Sequence, residues 1–166
     1  MNENQNNLTE EISEQDINIL KKVRLEKLDE LKSKNANPYE ITKFEVTGKN
    51  SALKKQYEYD EEQAKLIAGE NDEKLAEELD KLKGKIVTIA GRIMSWRDMG
   101  KANFIDLRDD TDRIQIYVRM NDIGKDEFAE FKKWDIGDII GVEGYVFRTR
   151  KGEISVHALK VKLLSK

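Results

Sequence analysis

At Gly84 the hydrophobic periodicity of the chain changes, and this change limits the architecture more than any other feature of the sequence. Upstream, apolar residues recur at helical spacing. Downstream they alternate, as in strands whose successive side chains point to opposite faces. The alternating half divides into five segments, 85–97, 102–108, 113–119, 139–150 and 153–163, bounded by Gly100, by the acidic cluster 109–112 and by Lys151-Gly152. One helical segment, 125–134, carries Phe128, Phe131 and Trp134 and falls between the third and fourth strands.

That element order predicts an α+β chain built on a five-stranded OB-fold β-barrel, whose strand 2–3 face and neighbouring loops bind oligonucleotides in proteins of this fold. A generic small mixed domain is the alternative. The upstream half predicts an N-terminal helical extension over 1–83. Ile17, Leu20, Val23, Leu28 and Leu31 form a stripe on a helix over 13–34, which Ser13 and Asp16 open as a capping box and Asn35-Ala36-Asn37-Pro38 ends. A link through Tyr39, Phe44 and Gly48 leads to a second helical region, 51–83, interrupted at Gly69-Glu70-Asn71. Its apolar stripes are thin, so these helices need a partner to pack on. The domain reading is therefore 1–83 as helical extension and 84–166 as barrel.

A chain of 166 residues holds one domain and an appendage, and its 38% charged residues leave material for one modest core. There is no cysteine and one histidine, which excludes thiolate chemistry and argues against zinc or a nucleophilic triad. The carboxylate runs Glu61-Glu62 and Asp109-Asp110 read as solvated surface rather than as acid–base or metal machinery. The first eleven residues resemble neither a signal nor a transit peptide, and no stretch is long enough to span a bilayer, so a cytoplasmic location with no membrane partner is expected. The net charge of −3 hides an asymmetry: residues 1–83 hold 14 basic against 20 acidic side chains, and residues 84–166 hold 16 against 13. The barrel half is mildly basic.

Sorting strands two and three by face puts Ile105 and Leu107, and Ile114, Ile116 and Val118, inside the barrel. Phe104 and Tyr117 remain outside among Arg, Gln and Asp. If residues 109–112 close the hairpin so that Arg108 faces Arg113, Phe104 lies opposite Tyr117 and diagonal to Gln115. A single-stranded base needs such a surface: an aromatic plane to stack on, an amide for its edge, and cations for its phosphate. Arg92, Arg97, Lys101, Arg108, Arg113 and Arg119 supply the cations. The competing reading is that a flanking helix covers Phe104, and that nearby aspartates neutralise several of the arginines. Glu153, at the tip of the last hairpin, is either an ordinary turn residue or a base-edge acceptor. Trp96 is either a rim residue or packing, while Trp134 and His157 read as packing and an ordinary strand position.

Five strings occur in order along the strands: Ala90-Gly91-Arg92-Ile93-Met94, Met99-Gly100-Lys101-Ala102-Asn103-Phe104, Arg113-Ile114-Gln115-Ile116-Tyr117-Val118, Gly137-Asp138-Ile139-Ile140-Gly141 and Gly152-Glu153-Ile154-Ser155-Val156. Together they resemble the N-terminal anticodon-binding domain of class II lysyl-tRNA synthetases. Arg24-Leu25-Glu26-Lys27-Leu28 and Asn37-Pro38-Tyr39 resemble the leading helix of that family and its exit. The resemblance covers about residues 17–47 and 84–166. Two positions depart from the family pattern, Asn103 where serine is usual and Ala36 where glycine is usual, and the segment from about 49 to 82 matches nothing in it.

The resemblance implies that Phe104 stacks on the central anticodon uridine, that Gln115 and Glu153 hydrogen-bond its edge, and that Arg97 faces the anticodon. Tyr117, Arg92, Lys101 and Arg113 complete the expected RNA-binding set. The implied partners are the anticodon loop of tRNA(Lys) and a catalytic domain following this one, in a parent that dimerises. The class II motifs that bind ATP, Mg2+ and lysine are not in this chain. The expectation is thus binding without catalysis or cofactor, with ATP and Mg2+ belonging to the parent. Two rivals are a sequence-neutral single-strand binder and an acidic protein-interaction domain working through residues 13–83.

Overall fold

The computed structural model describes residues 3–34, 38 and 44–166, with the side chain of Asp16 and, among these residues, those from Asn18 onward. The strings at Asn35-Ala36-Asn37 and Tyr39 lie outside the described residues. Two units are present, one of residues 1–41 with Lys166 and one spanning Thr42–Ser165. The first contains α1, Glu3–Ser33, which begins ten residues before the predicted start. Ser13 therefore lies inside the helix and not at its cap. Leu20 and Val23 of the predicted stripe are exposed.

The second unit begins well upstream of Gly84. It contains α2 (Asn50–Ala68), α3 (Asp72–Lys81) and a 3-10 turn at Leu82–Gly84, followed by β1 (Ile86–Asp98), β2 (Ala102–Arg108), β3 (Arg113–Arg119), α4 (Met120–Ile123), α5 (Lys125–Phe131), β4 (Ile139–Arg148) and β5 (Ile154–Ser165). Gly84 marks the change in secondary structure, and the helices before it share the unit of the strands that follow it. The predicted helix 125–134 ends at Phe131, with Trp134 just beyond. None of the described helices is long and apolar enough to cross a membrane.

The strands close into a barrel in the order β1-β2-β3-β5-β4, an OB-fold with a helix between strands three and four. Closure depends on β1 being long enough to serve two neighbours. Its first half, Ile86 to Arg92, pairs with β4, and Arg92 to Asp98 pairs with β2. Alternation sends Ile89, Ile93, Ile105, Leu107, Ile114, Ile116, Val118, Ile140, Val142 and Val156 inward, each 0–1% exposed. Burying each of these aliphatic side chains is worth about 1.5–3 kcal/mol, so this layer carries the stability of the unit. Phe131 of α5 is also fully buried. At Gly144 β4 and β5 run so close that a Cβ would collide with the His157 carbonyl, which explains a glycine in mid-strand.

Helix α2 is held to the strands at both ends. At its start, the Asn50 backbone N–H donates to Asp109 Oδ2 at 2.7 Å, and the buried Asn50 amide donates to the carbonyls of Leu107 and Asp112 at 3.0 Å each. An aspartate at a helix N-terminus also complements the helix dipole. Burial pushes the Asp109 carboxyl up, but Thr111, the Asn50 N–H and the backbone of the turn together hold it below its ordinary range. Further along, Glu61 is 8% exposed and paired with Arg148. This corrects the solvated reading of the Glu61-Glu62 run: Glu62 is exposed, while Glu61 is a buried structural acid.

Candidate nucleic-acid interface

The registers of four strand pairs arrange the outer face of the barrel in three rows running across the strands. Arg92, Arg108 and Arg113 are consecutive partners across β1, β2 and β3 and form the first row. The second contains Ser95, Asp106, Gln115, Ser155 and Phe147, and the third Arg97, Phe104, Tyr117, His157 and Tyr145. One row is cationic, the next is mainly polar, and the third is largely aromatic. Like charges directly opposite on a sheet repel, so three adjacent arginines favour an anion between them.

A bulge in β1 between Ile93 and Ser95 produces part of this order. The extra residue inverts the alternation, so Trp96 turns inward beside Ile105 and Arg97 turns outward beside Phe104. Trp96 stacks on Phe131 with centroids 4.5 Å apart, and its indole N–H donates to Asn103 Oδ1 at 2.6 Å. Asn103 is fully buried. The tryptophan packs on Phe131 while staying partly exposed, and the asparagine belongs to the interior, where it accepts that bond.

In the aromatic row, Phe104 and Tyr117 lie with centroids 4.9 Å apart at 32°. The Arg97 guanidinium carbon sits 5.0 Å from the Phe104 centroid, over its ring. Phe104 is thus half-buried by its own neighbours, and among the described residues of this unit its ring contacts are with Tyr117 and Arg97, not with a helix. Beside it an open recess of about 440 Å3 is lined by Ser95, Trp96, Arg97, Phe104, Ile105, Asp106 and Gln115. Its polar walls are partly committed: Ser95 donates to Asp106 Oδ2 at 2.8 Å, and Ser155 donates to Gln115 Oε1 at 2.9 Å. With its carbonyl occupied, Gln115 presents its NH2 group as a donor.

Glu153 lies two residues before Ser155, in the hairpin loop immediately ahead of β5. Its backbone is fixed by Thr149 N–H donating to the Glu153 carbonyl at 2.9 Å and by the Glu153 N–H donating to Thr149 Oγ1 at 3.1 Å. The side chain is exposed. Lys101 is exposed in the β1–β2 loop, where the Gly100 N–H donates to Asp98 Oδ1 at 2.8 Å and Lys132, just past α5, pairs with Asp98 at 2.8 Å. Arg113 reaches Asp106 at 3.7 Å, and Arg119 is bound by Asp122 through two bonds of 2.9 Å. The Arg113–Asp106 contact is of the kind the competing reading of the cations names, whereas the partner of Arg119, Asp122, is not among the aspartates of that reading. The structure brings Phe104, Tyr117, Gln115 and Arg97 together, sets Arg92 and Arg113 in the neighbouring cationic row, and leaves Lys101 and Glu153 on separate loops.

Two features of this face were not read from the sequence. His157 is buried against Tyr145, with centroids 4.8 Å apart, meets Tyr117 edge-on at 5.2 Å, and bonds Asp122 through Nε2 at 2.6 Å. Burial raises the pKa of Asp122, but Arg119 and His157 outweigh it and hold the carboxyl below its ordinary range. The second is Arg148, which joins Glu61 to the β4–β5 hairpin. A lone histidine in a strand signals neither contact. Among the described residues, no group of three or more His, Asp or Glu side chains converges as a metal site.

Residues 87–164 match the tRNA anticodon family described as the OB-fold nucleic acid binding domain. The chain is similar to the lysine–tRNA ligase of Thermoanaerobacter pseudethanolicus, 42% identical over 165 residues, covering 99% of this chain and 28% of the relative. It is also similar to the lysine–tRNA ligases of Clostridium novyi, at 38% over 153 residues, and Clostridium botulinum, at 39% over 153, each alignment covering 92% of this chain and 26% of the relative. The chain thus spans about a quarter of the length of these relatives.

Proposed function

We propose that the barrel, whose residues 87–164 match the tRNA anticodon family of OB-fold nucleic acid binding domains, reads the anticodon loop of tRNA(Lys). The observation that carries this reading is that three adjacent rows offer what a single-stranded nucleotide needs: an aromatic plane for its base, a polar group for its edge and cations for its phosphate. Its base stacks on Phe104, with Tyr117 beneath as support, and its edge meets Gln115. Arg92, Arg108 and Arg113 attract its phosphates, and Arg97 and Lys101 approach from the β1–β2 side.

The proposed base is uridine, because it presents carbonyl oxygens on either side of an N3–H. The free NH2 of Gln115 donates to a carbonyl, and the Glu153 carboxylate accepts the N3–H. A carboxylate beside RNA is repelled by phosphate and finds a role there only as such an acceptor. Cytidine offers a lone pair at N3 and a donor at N4, so both partners face the wrong group. Each unmade bond costs about 1–3 kcal/mol. In the parent protein, we propose, this contact anchors tRNA(Lys) while a catalytic domain attaches lysine using ATP and Mg2+. This chain contributes the anchoring alone.

The test is a fluorescence anisotropy titration of the chain with RNA stem-loops that differ only in the central loop base. A preference for uridine over cytidine of at least tenfold, reduced by Gln115→Ala, is expected. Equal affinity for both loops, and for a DNA loop of the same sequence, identifies a sequence-neutral binder instead. Absence of RNA binding at physiological salt leaves the protein-interaction reading.

A further inference from the structure

Helix α2 lies outside the part of the chain that matches the anticodon-binding family, yet it touches both hairpins that border the reading face. Its first residue is bonded to the β2–β3 turn, which Lys49 and Lys54 also reach through Asp110 at 2.8 Å and Asp112 at 3.2 Å. Three turns later, Glu61 receives Arg148: Nε donates to the two carboxylate oxygens at 3.0 and 3.2 Å, and Nη2 donates to Oε1 at 3.0 Å. The third nitrogen, Nη1, donates to the carbonyl of Gly152 at 2.9 Å.

That last bond acts on the reading loop. The Gly152 carbonyl and the Glu153 N–H are the two polar ends of one planar peptide unit. The first accepts from Arg148 and the second donates to Thr149 Oγ1. With both ends fixed, the plane cannot rotate, and Gly152 holds the positive φ of 88° that the turn requires. The direction in which the Glu153 side chain leaves the backbone follows from that plane.

We propose that Glu61 and Arg148 are positioning residues for base discrimination, making α2 a strut that fixes the β4–β5 tip, and with it Glu153, relative to the β2–β3 turn. The inference rests on the base-reading role given to Glu153 above. Bidentate pairing fixes the guanidinium in one plane, so the remaining N–H points at a single place. A lysine at position 148 satisfies Glu61 or Gly152, but its one ammonium lacks the fork to hold both.

The experiment compares uridine and cytidine stem-loops on wild type, Glu61→Gln, Arg148→Lys and the exchange Glu61→Arg/Arg148→Glu, with thermal unfolding of each variant measured in parallel. Glu61→Gln and Arg148→Lys are expected to lower the uridine-to-cytidine preference at least fivefold by weakening uridine binding, with cytidine affinity unchanged within twofold. Glu62→Gln, a change to the exposed neighbour, leaves the ratio intact. The exchange restores an ion pair, and hence part of the melting temperature. It does not restore the preference, because a carboxylate at 148 cannot donate to Gly152. Adding Glu153→Gln to Glu61→Gln produces no further loss.

An unchanged preference in Glu61→Gln and Arg148→Lys, with lowered melting temperatures alone, overturns the proposal and makes the pair merely stabilising. Recovery of the preference in the exchange also overturns it. A wild type without preference refutes the reading of Glu153 itself. If Glu61→Gln is unfolded at the assay temperature, Arg148→Lys decides by the same ratio.

Discussion

Replacing Phe104 with leucine separates stacking from packing. Leucine keeps an apolar side chain against Tyr117, whose ring lies 4.9 Å away, and removes the aromatic plane. Stacking of a base on such a plane is worth about 1–3 kcal/mol. In the free protein that plane is already engaged by Arg97, with its guanidinium carbon 5.0 Å from the centroid. A cation–π contact at an exposed site is worth about 0.5–1 kcal/mol, and an arriving base has to displace it. The net contribution of the ring is then roughly 1–2 kcal/mol, so Phe104→Leu raises Kd about 5- to 30-fold. The same substitution in an Arg97→Ala background removes a ring that no cation covers, and its effect grows by a further factor of roughly 2–5. Anisotropy titrations of the four proteins with the uridine stem-loop measure both quantities. A Kd for Phe104→Leu within twofold of wild type, with the thermal transition intact, refutes stacking on this residue. A smaller effect in the Arg97→Ala background refutes the displacement.

Asn103→Ala removes the acceptor for the Trp96 indole N–H, a part-buried bond of 2.6 Å; leaving a donor unpaired costs about 1–3 kcal/mol, and a fall of several degrees in the melting temperature followed by circular dichroism is expected. Acid acts through Asp109, Asp122 and Glu61. Burial raises all three, yet hydrogen bonds, joined at Asp122 and Glu61 by positive neighbours, bring each below its ordinary pKa in the folded state. Carboxylates lowered in this way contribute stability that is complete above their unfolded values of about 4 and is lost as pH falls through the folded ones. Urea midpoints are therefore flat from about pH 7 to 5 and decline below about 4, and Asp122→Asn reduces that decline.

What could be read from the sequence follows the range of each interaction. Phe104 faces Tyr117, as predicted, because the β2–β3 hairpin is short and alternation on either side of one turn determines the register. The barrel strands were recognisable for the same local reason. The sequence does not assign a face to Trp96, because the bulge at Ile93–Ser95 inverts the faces of β1 and nothing in the alternation announces it. His157 reaches Tyr117 only through the parallel pairing of β3 with β5, a product of barrel closure. Glu61 and Arg148 are 87 positions apart, and an acidic pair on a charged helix carries no mark of which member will be buried.

The interleaving of the two faces has an evolutionary consequence. Between Phe104 and Asp106 stands Ile105, and on β3 Gln115 is enclosed by Ile114 and Ile116, all three at 0–1% exposure. Residues proposed to choose a nucleotide and residues that keep the barrel folded occupy alternate letters of the same words. Selection can therefore rewrite one set while the other is held constant. Outward substitutions can thus change what the proposed reading face selects without passing through an unfolded ancestor.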